Sequence, residues 1–194
     1  MDYINTHHYP TSSKTHEAEI WIGIGSRVDW ECFEKSGLLE AMEKICSRYP
    51  QVRLVLSSRE DIPATLNINS DQMKIYSRSS FEDWVGVLLS LDIGLLPIYG
   101  DYDLRLGSYD LLEFMISKIP WLASEEPTFR NFSHFGQWVP NTADDWKSKI
   151  LGTIENLDIH QKTAVGEQFL FALNQDVSVN IAKVLKIYDT IINQ

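Results

Sequence analysis

The stretch 92-DIGLLPIYGDYDLRLGSYDLLEFMISKIPWLAS-124 reads as strand, loop, helix and strand in succession. Residues 92–98 and 120–123 are almost wholly apolar, and strands of that kind sit in parallel sheets covered by helices on both faces. Between them an acidic, Tyr-rich loop leads into a short apolar helix. Arg105, Ser108 and Glu113 crowd its entrance. Two explanations compete for that polar cluster: capping and solvation of a helix end, or a cradle for a phosphorylated ligand.

The pattern repeats outward from this unit. Residues 20–24 form an apolar strand ending at Gly25-Ser26. Leu38, Leu39, Met42, Ile45 and Cys46 recur at helical spacing, which predicts a helix over about 36–48, closed by Pro50. Strands follow at 52–58 and 72–77. Ser80, with Asp83 three residues on, opens a helix whose apolar side is Phe81, Trp84, Val85 and Leu88. Beyond residue 124 come a small helix near 127–132, a weak strand at 137–139, and helices over about 143–156, 161–174 and 177–192. The fold class is α/β, a doubly wound parallel sheet flanked by helices, with C-terminal helices. Residues 1–18 read as a linker or flexible tail, 19–158 as the sheet domain, and 159–194 as helices packing on it.

Composition narrows the function. The formal net charge of −10 argues against a nucleic-acid partner, whose affinity draws on clustered Lys and Arg. It leaves a small phosphorylated ligand open, since that needs only one or two cations and backbone N–H groups. No apolar run approaches the roughly 20 residues that span a bilayer. The first residues lack a basic start and apolar middle, so a cytoplasmic location is expected. Cys32 and Cys46 fit a reducing compartment and show no metal-ligand spacing. The five histidines are scattered and suggest no hydrolase order.

In a doubly wound sheet, ligands bind beyond the carboxyl ends of the strands, where strand order reverses. Three segments fall there: Gly25-Ser26-Arg27, the loop after Ser77, and the stretch after Ile98. Gly25 would let the chain turn close to a phosphate and Arg27 would offer a fork of donors, but 23-GIGSRV-28 is not a dinucleotide fingerprint. As a turn it reads equally well as structural. Lys35, before Ser36-Gly37 at the expected helix start, is either a solvated lysine or an anion contact. Ser108 suits an N-cap. Glu113, among Leu111, Leu112, Phe114 and Met115, needs partners if buried: an Arg105 bridge or a ligand's hydroxyl groups.

The segments 92-DIGLLP-97, 111-LLEFMISKIPWLAS-124 and 136-GQWV-139, followed by the helix opening at Asp144-Asp145-Trp146, resemble the C-terminal, donor-binding domain of GT-B-fold glycosyltransferases. The similarity is to the retaining group 1 family related to glycogen and sucrose synthases, and it covers most of residues 19–192. It implies a Rossmann-like half that binds a nucleotide-diphosphate sugar, with Glu113 on the ribose hydroxyls and the N–H groups of Leu111 and Leu112 facing the diphosphate. Arg27 and Lys35 resemble the family's basic pair, and the loop after Ser77 the one along the base. With Arg105 they would neutralise the leaving diphosphate, so the resemblance implies neither metal nor other cofactor. Arg105 stands where many members carry a glutamate, and Asp110 where close relatives often carry lysine. The start, 5-NTHHYPTSS-13, resembles the interdomain linker, and 177–192 the terminal helix that packs toward an N-terminal acceptor domain. An isolated half that binds donor without turnover is the expectation. The alternatives are a degenerate, non-catalytic GT-B-like domain acting as a protein-interaction module and an epimerase-like relative.

Overall fold

The computed structural model describes residues 3–10, 16, 18–25, 28, 30–58, 66–77, 80–100 and 108–192. Six strands, β1 (Ile20–Ile24), β2 (Val52–Ser58), β3 (Met73–Ser77), β4 (Ile93–Leu96), β5 (Trp121–Ser124) and β6 (Gln137–Val139), form one sheet in the order β3-β2-β1-β4-β5-β6. Every neighbouring pair is parallel. At its centre Ile22 pairs with Leu54 on one side and Ile93 on the other. Strand order thus reverses between β1 and β4, as in doubly wound nucleotide-binding sheets.

Alternate residues of each strand divide between two buried layers, as a period of two requires. Val55, Leu96, Trp121 and Ala123 face one layer with Trp84, Leu88, Leu112 and Phe114. Ile22, Leu54, Leu56, Ile93 and Leu95 face the other with Phe33, Leu38, Met42, Ile45 and Trp146. Gly94 allows the first layer to close: a Cβ there would lie 2.6 Å from the Phe114 ring.

The helices are α1 (Trp30–Lys35), α2 (Leu38–Arg48), α3 (Phe81–Leu89), α4 (Tyr109–Ile116), α5 (Ala143–Glu155), α6 (Leu157–Thr163), α7 (Phe169–Asn174) and α8 (Val177–Ile192). The helix expected over 36–48 is α2, Leu38–Arg48, and a further short helix, α1, precedes it; Gly37, at φ 81° in the left-handed region, separates the two. The break lets α5 approach: a Cβ on Gly37 would meet the Ala143 nitrogen at 2.6 Å. The helix expected over 161–174 starts at Leu157 and is interrupted by a wide turn, Ala164–Gln168, with Gly166 at φ −86°, ψ −114°. Ser80 and Asp83 form the reciprocal capping box at the start of α3, each side chain accepting from the other's backbone N–H at 3.1 and 3.0 Å.

Two details recur below. Residues 3–10 dock on the domain: Ile4 and Tyr9 are buried, and Ile4 exchanges backbone hydrogen bonds with Gln175 and Val177 at 3.1 and 2.9 Å. Asp176 closes that join, accepting from the Thr6 and Ser178 N–H groups at 2.8 and 2.7 Å. Hydrogen bonds from Ser178 and then Thr6 hold its carboxyl well below the usual carboxylate range. At the far end of α4, Lys118 adopts φ 60°, a conformation costing a non-glycine residue about 1 kcal/mol. Among the described residues no helix is long and apolar enough to cross a membrane.

Candidate functional site

The crevice at the switch point is built from the turn after β1 and the start of α4. Gly25 donates to the Leu95 carbonyl at 2.9 Å, which ties the end of β1 to β4. A Cβ on Gly25 would sit 3.1 Å from the Leu96 side chain and 3.3 Å from both Cβ and Cγ of Asp110. The β1 turn therefore touches the first turn of α4, where a helix leaves N–H groups without intrahelical partners. Asp110 itself is buried, 2% exposed.

Ser108 occupies the N-cap position of α4, but its side chain makes no capping hydrogen bond there, its backbone being at φ −93°, ψ 16° instead of extended. Its carbonyl accepts from the Leu112 N–H at 3.1 Å. That corrects one expectation: the Leu112 N–H is spent inside the helix. Leu111, one position earlier, stays in the set that a helix leaves without intrahelical partners.

Glu113 is 1% exposed, on the inner face of α4. Its Oε1 accepts from the Tyr9 hydroxyl at 2.9 Å and from the Trp84 indole N–H at 3.0 Å. A second phenol, Tyr109, lies with its oxygen 3.4 Å from that of Tyr9. Burial, and next the Glu113 charge, push the Tyr9 phenol far above its ordinary range. The carboxylate that would face a ribose is thus already tied at one oxygen to two distant segments.

Lys35 is displaced from its expected setting. It ends α1 instead of opening a helix, so the attraction of a helix N-terminus for anions does not act there. Its Nζ pairs with the exposed Glu31 and lies 5.6 Å from the Tyr99 ring centroid, just beyond β4. Lys35 therefore remains on the strand-end side of the sheet, held in a surface pair that solvent screens. Ser77 ends β3, the sheet's edge strand, about 10 Å from β1 at ordinary strand spacing. Ser26, Arg27 and Arg105 lie outside the described residues.

Tyr9 and Trp84 are the partners of Glu113 that sequence reasoning missed. The Tyr9-Pro10 pair signals only a linker, and Trp84 only an apolar helix face; their meeting at Glu113 is a long-range contact. Among the described residues no group of three or more His, Cys, Asp or Glu side chains is placed to hold a metal ion.

No protein-family model matches the sequence, and no curated protein matches it. Solved structures do. The C-terminal domain of a glycosyl transferase group 1 family protein from Francisella tularensis superposes with a TM-score of 0.66 at 16% identity, over 86% of this chain and 94% of that one. Sucrose-phosphate synthase from Thermosynechococcus elongatus gives 0.70 at 13% identity, over 98% of this chain and 51% of its own. A UDP-GlcNAc 2-epimerase from Neisseria meningitidis, bound to UDP-GlcNAc, gives 0.58 at 12%, over 93% and 46%. The chain spans about half the length of these two enzymes. With its six parallel strands and reversal between β1 and β4, the chain has the fold of the C-terminal domain of GT-B group 1 glycosyltransferases.

Proposed function

We propose that this chain is the donor-binding half of a retaining glycosyltransferase, taking a nucleotide-diphosphate sugar at the β1–β4 switch point. The observation that carries the reading is the close approach of Gly25 to the first turn of α4, at the switch point where such sheets bind phosphates. In this reading Leu111 presents an N–H to the diphosphate and Glu113 orients the ribose. Lys35 exchanges Glu31 for phosphate, and Arg27 and Arg105 complete the neutralisation of the leaving group. Protein cations do this work and no metal enters the proposal. The acceptor belongs to an N-terminal domain, in the same chain or a separate subunit. Ile181, Leu185 and Tyr188, exposed on one side of α8, support the presence of such a covering domain. A cytoplasmic location fits a nucleotide-sugar donor.

A second reading draws on a specific observation. Asp110 places a buried acid against Gly25, where a diphosphate would approach, and like charges repel strongly in a dry site. Under it the domain is a non-catalytic interaction module.

An NMR titration of the chain with UDP, GDP, ADP and CMP separates the two. Amide shifts at Gly25 and Leu111 for one nucleotide, lost in Glu113→Gln, are expected from the donor-site reading. Affinity in the millimolar range, about 4 kcal/mol, suffices for the measurement. Silence from all four with the fold intact would favour the interaction module.

A further inference from the structure

At the opposite end of the sheet, away from the switch point, the chain holds a cavity of about 250 Å³. It opens beside the residues leading into β4 and β5, Leu91 and Ile119, and is walled by Ile116, Val165 and Phe169. An apolar cavity of about 150 Å³ is enough to take up benzene. Beside Gln161, whose amide donates to Asp92 Oδ1 at 3.4 Å, two polar groups interrupt these walls. The Ser117 hydroxyl lies buried there with no hydrogen-bond partner among the described residues. The second is Lys118, whose ammonium lies 4.4 Å from the Phe169 ring centroid, with no acidic partner among the described residues.

The backbone holds that lysine in place. Lys118 and Ile119 donate to the carbonyls of Met115 and Phe114 at 3.1 and 2.9 Å, the paired bonds of a left-handed helix end. Glycine adopts φ 60° there without steric cost, and a lysine does not. Strain at a non-glycine residue points to a function for its side chain. What this side chain adds is a positive charge on the cavity wall, in a chain whose net charge is −10.

We propose that this cavity is a second ligand site, for a small amphiphile with an aromatic or short aliphatic body and a single anionic group. The body fills the space between Leu91, Ile119, Val165 and Phe169. The anion meets Lys118 and accepts from the Ser117 hydroxyl. Tyr9 also lines the cavity while its hydroxyl donates to Glu113, so occupancy reaches the α4 carboxylate through one side chain.

The test is a titration of the ¹⁵N-labelled chain with benzoate and with its uncharged counterpart, benzyl alcohol. Saturable benzoate shifts are expected at Ile119, Val165 and Phe169, with the Trp84 indole N–H following through Tyr9 and Glu113. Lys118→Gly, which suits φ 60° and so keeps the fold, should weaken benzoate about tenfold or more and leave benzyl alcohol unchanged. Ser117→Ala should weaken benzoate by a smaller factor. Absence of saturable shifts at these residues would overturn the proposal, as would equal benzoate affinity in the parent and Lys118→Gly.

Discussion

Replacing Tyr9 by Phe removes one hydroxyl and leaves the ring in place. The lost bond is the 2.9 Å donation to Glu113 Oε1, made inside the core to an acidic group. Hydrogen bonds to charged groups contribute about 1.5–3 kcal/mol, more than neutral ones, because the buried carboxylate has no water to turn to. Trp84 still donates at 3.0 Å, which limits the loss to one bond. For a chain of this length a loss of that size lowers Tm by about 3–12 °C. Urea unfolding at pH 7, followed by circular dichroism and tryptophan fluorescence, gives the free-energy difference directly. The pH dependence adds a second arm. The folded phenol is raised far above its ordinary value, so above about pH 10 only the unfolded chain releases the Tyr9 proton. The unfolded state then binds fewer protons, and stability falls with rising pH. Tyr9→Phe lacks this contribution, so the gap between parent and variant narrows above pH 10. A loss below about 0.5 kcal/mol at pH 7, or a gap that stays constant to pH 11, would refute the docking of Tyr9 on Glu113.

Lys118→Gly should raise stability by about 1 kcal/mol in urea unfolding, since it relieves a left-handed non-glycine residue; a loss would contradict the strain. Gly37→Ala should cost about 2 kcal/mol or more by the same measurement, because φ is 81° and the new Cβ meets the α5 backbone. Burial pushes the Cys46 thiol up to about 11. Iodoacetamide at pH 8 should therefore leave Cys46 unmodified in the folded chain and alkylate it in urea, as read by mass spectrometry of peptides; equal rates would count against the burial. Asp176 has a depressed folded pKa, so its contribution is present above about pH 4 and fades as pH falls below it. Asp176→Asn should then be less stable than the parent at pH 7, with the difference closing as the solution is acidified.

The elements and their succession along the chain were legible because they rest on local rules. The strand 20–24 is a continuous apolar run, 52–58 is built on Val52, Leu54, Val55 and Leu56, and Ser80 with Asp83 carries its own start signal, so their limits agree with the structure closely. Two helical segments differed, each beside a glycine. Gly37 reads in sequence like a residue near a helix start and is the N-cap of α2, but the short helix α1 that ends two residues before it was not foreseen. Gly166 interrupts a periodic apolar pattern that continues on either side of it. In both places the apolar spacing is correct and the backbone path is decided by a distant or single-residue constraint.

The site was legible only in part, and Glu113 shows why. Its carboxylate among leucines announces that a partner must exist, since burial without one is costly. The sequence offered Arg105 or a ligand. At Oε1 the structure supplies Tyr9 and Trp84, 104 and 29 residues away, while Arg105 lies outside the described residues. Two neutral donors at that oxygen fix the carboxylate's orientation. That is the property a ribose contact requires, and it is why the docking of Tyr9, instead of competing with the donor-site reading, gives Glu113 a fixed position from which to make it.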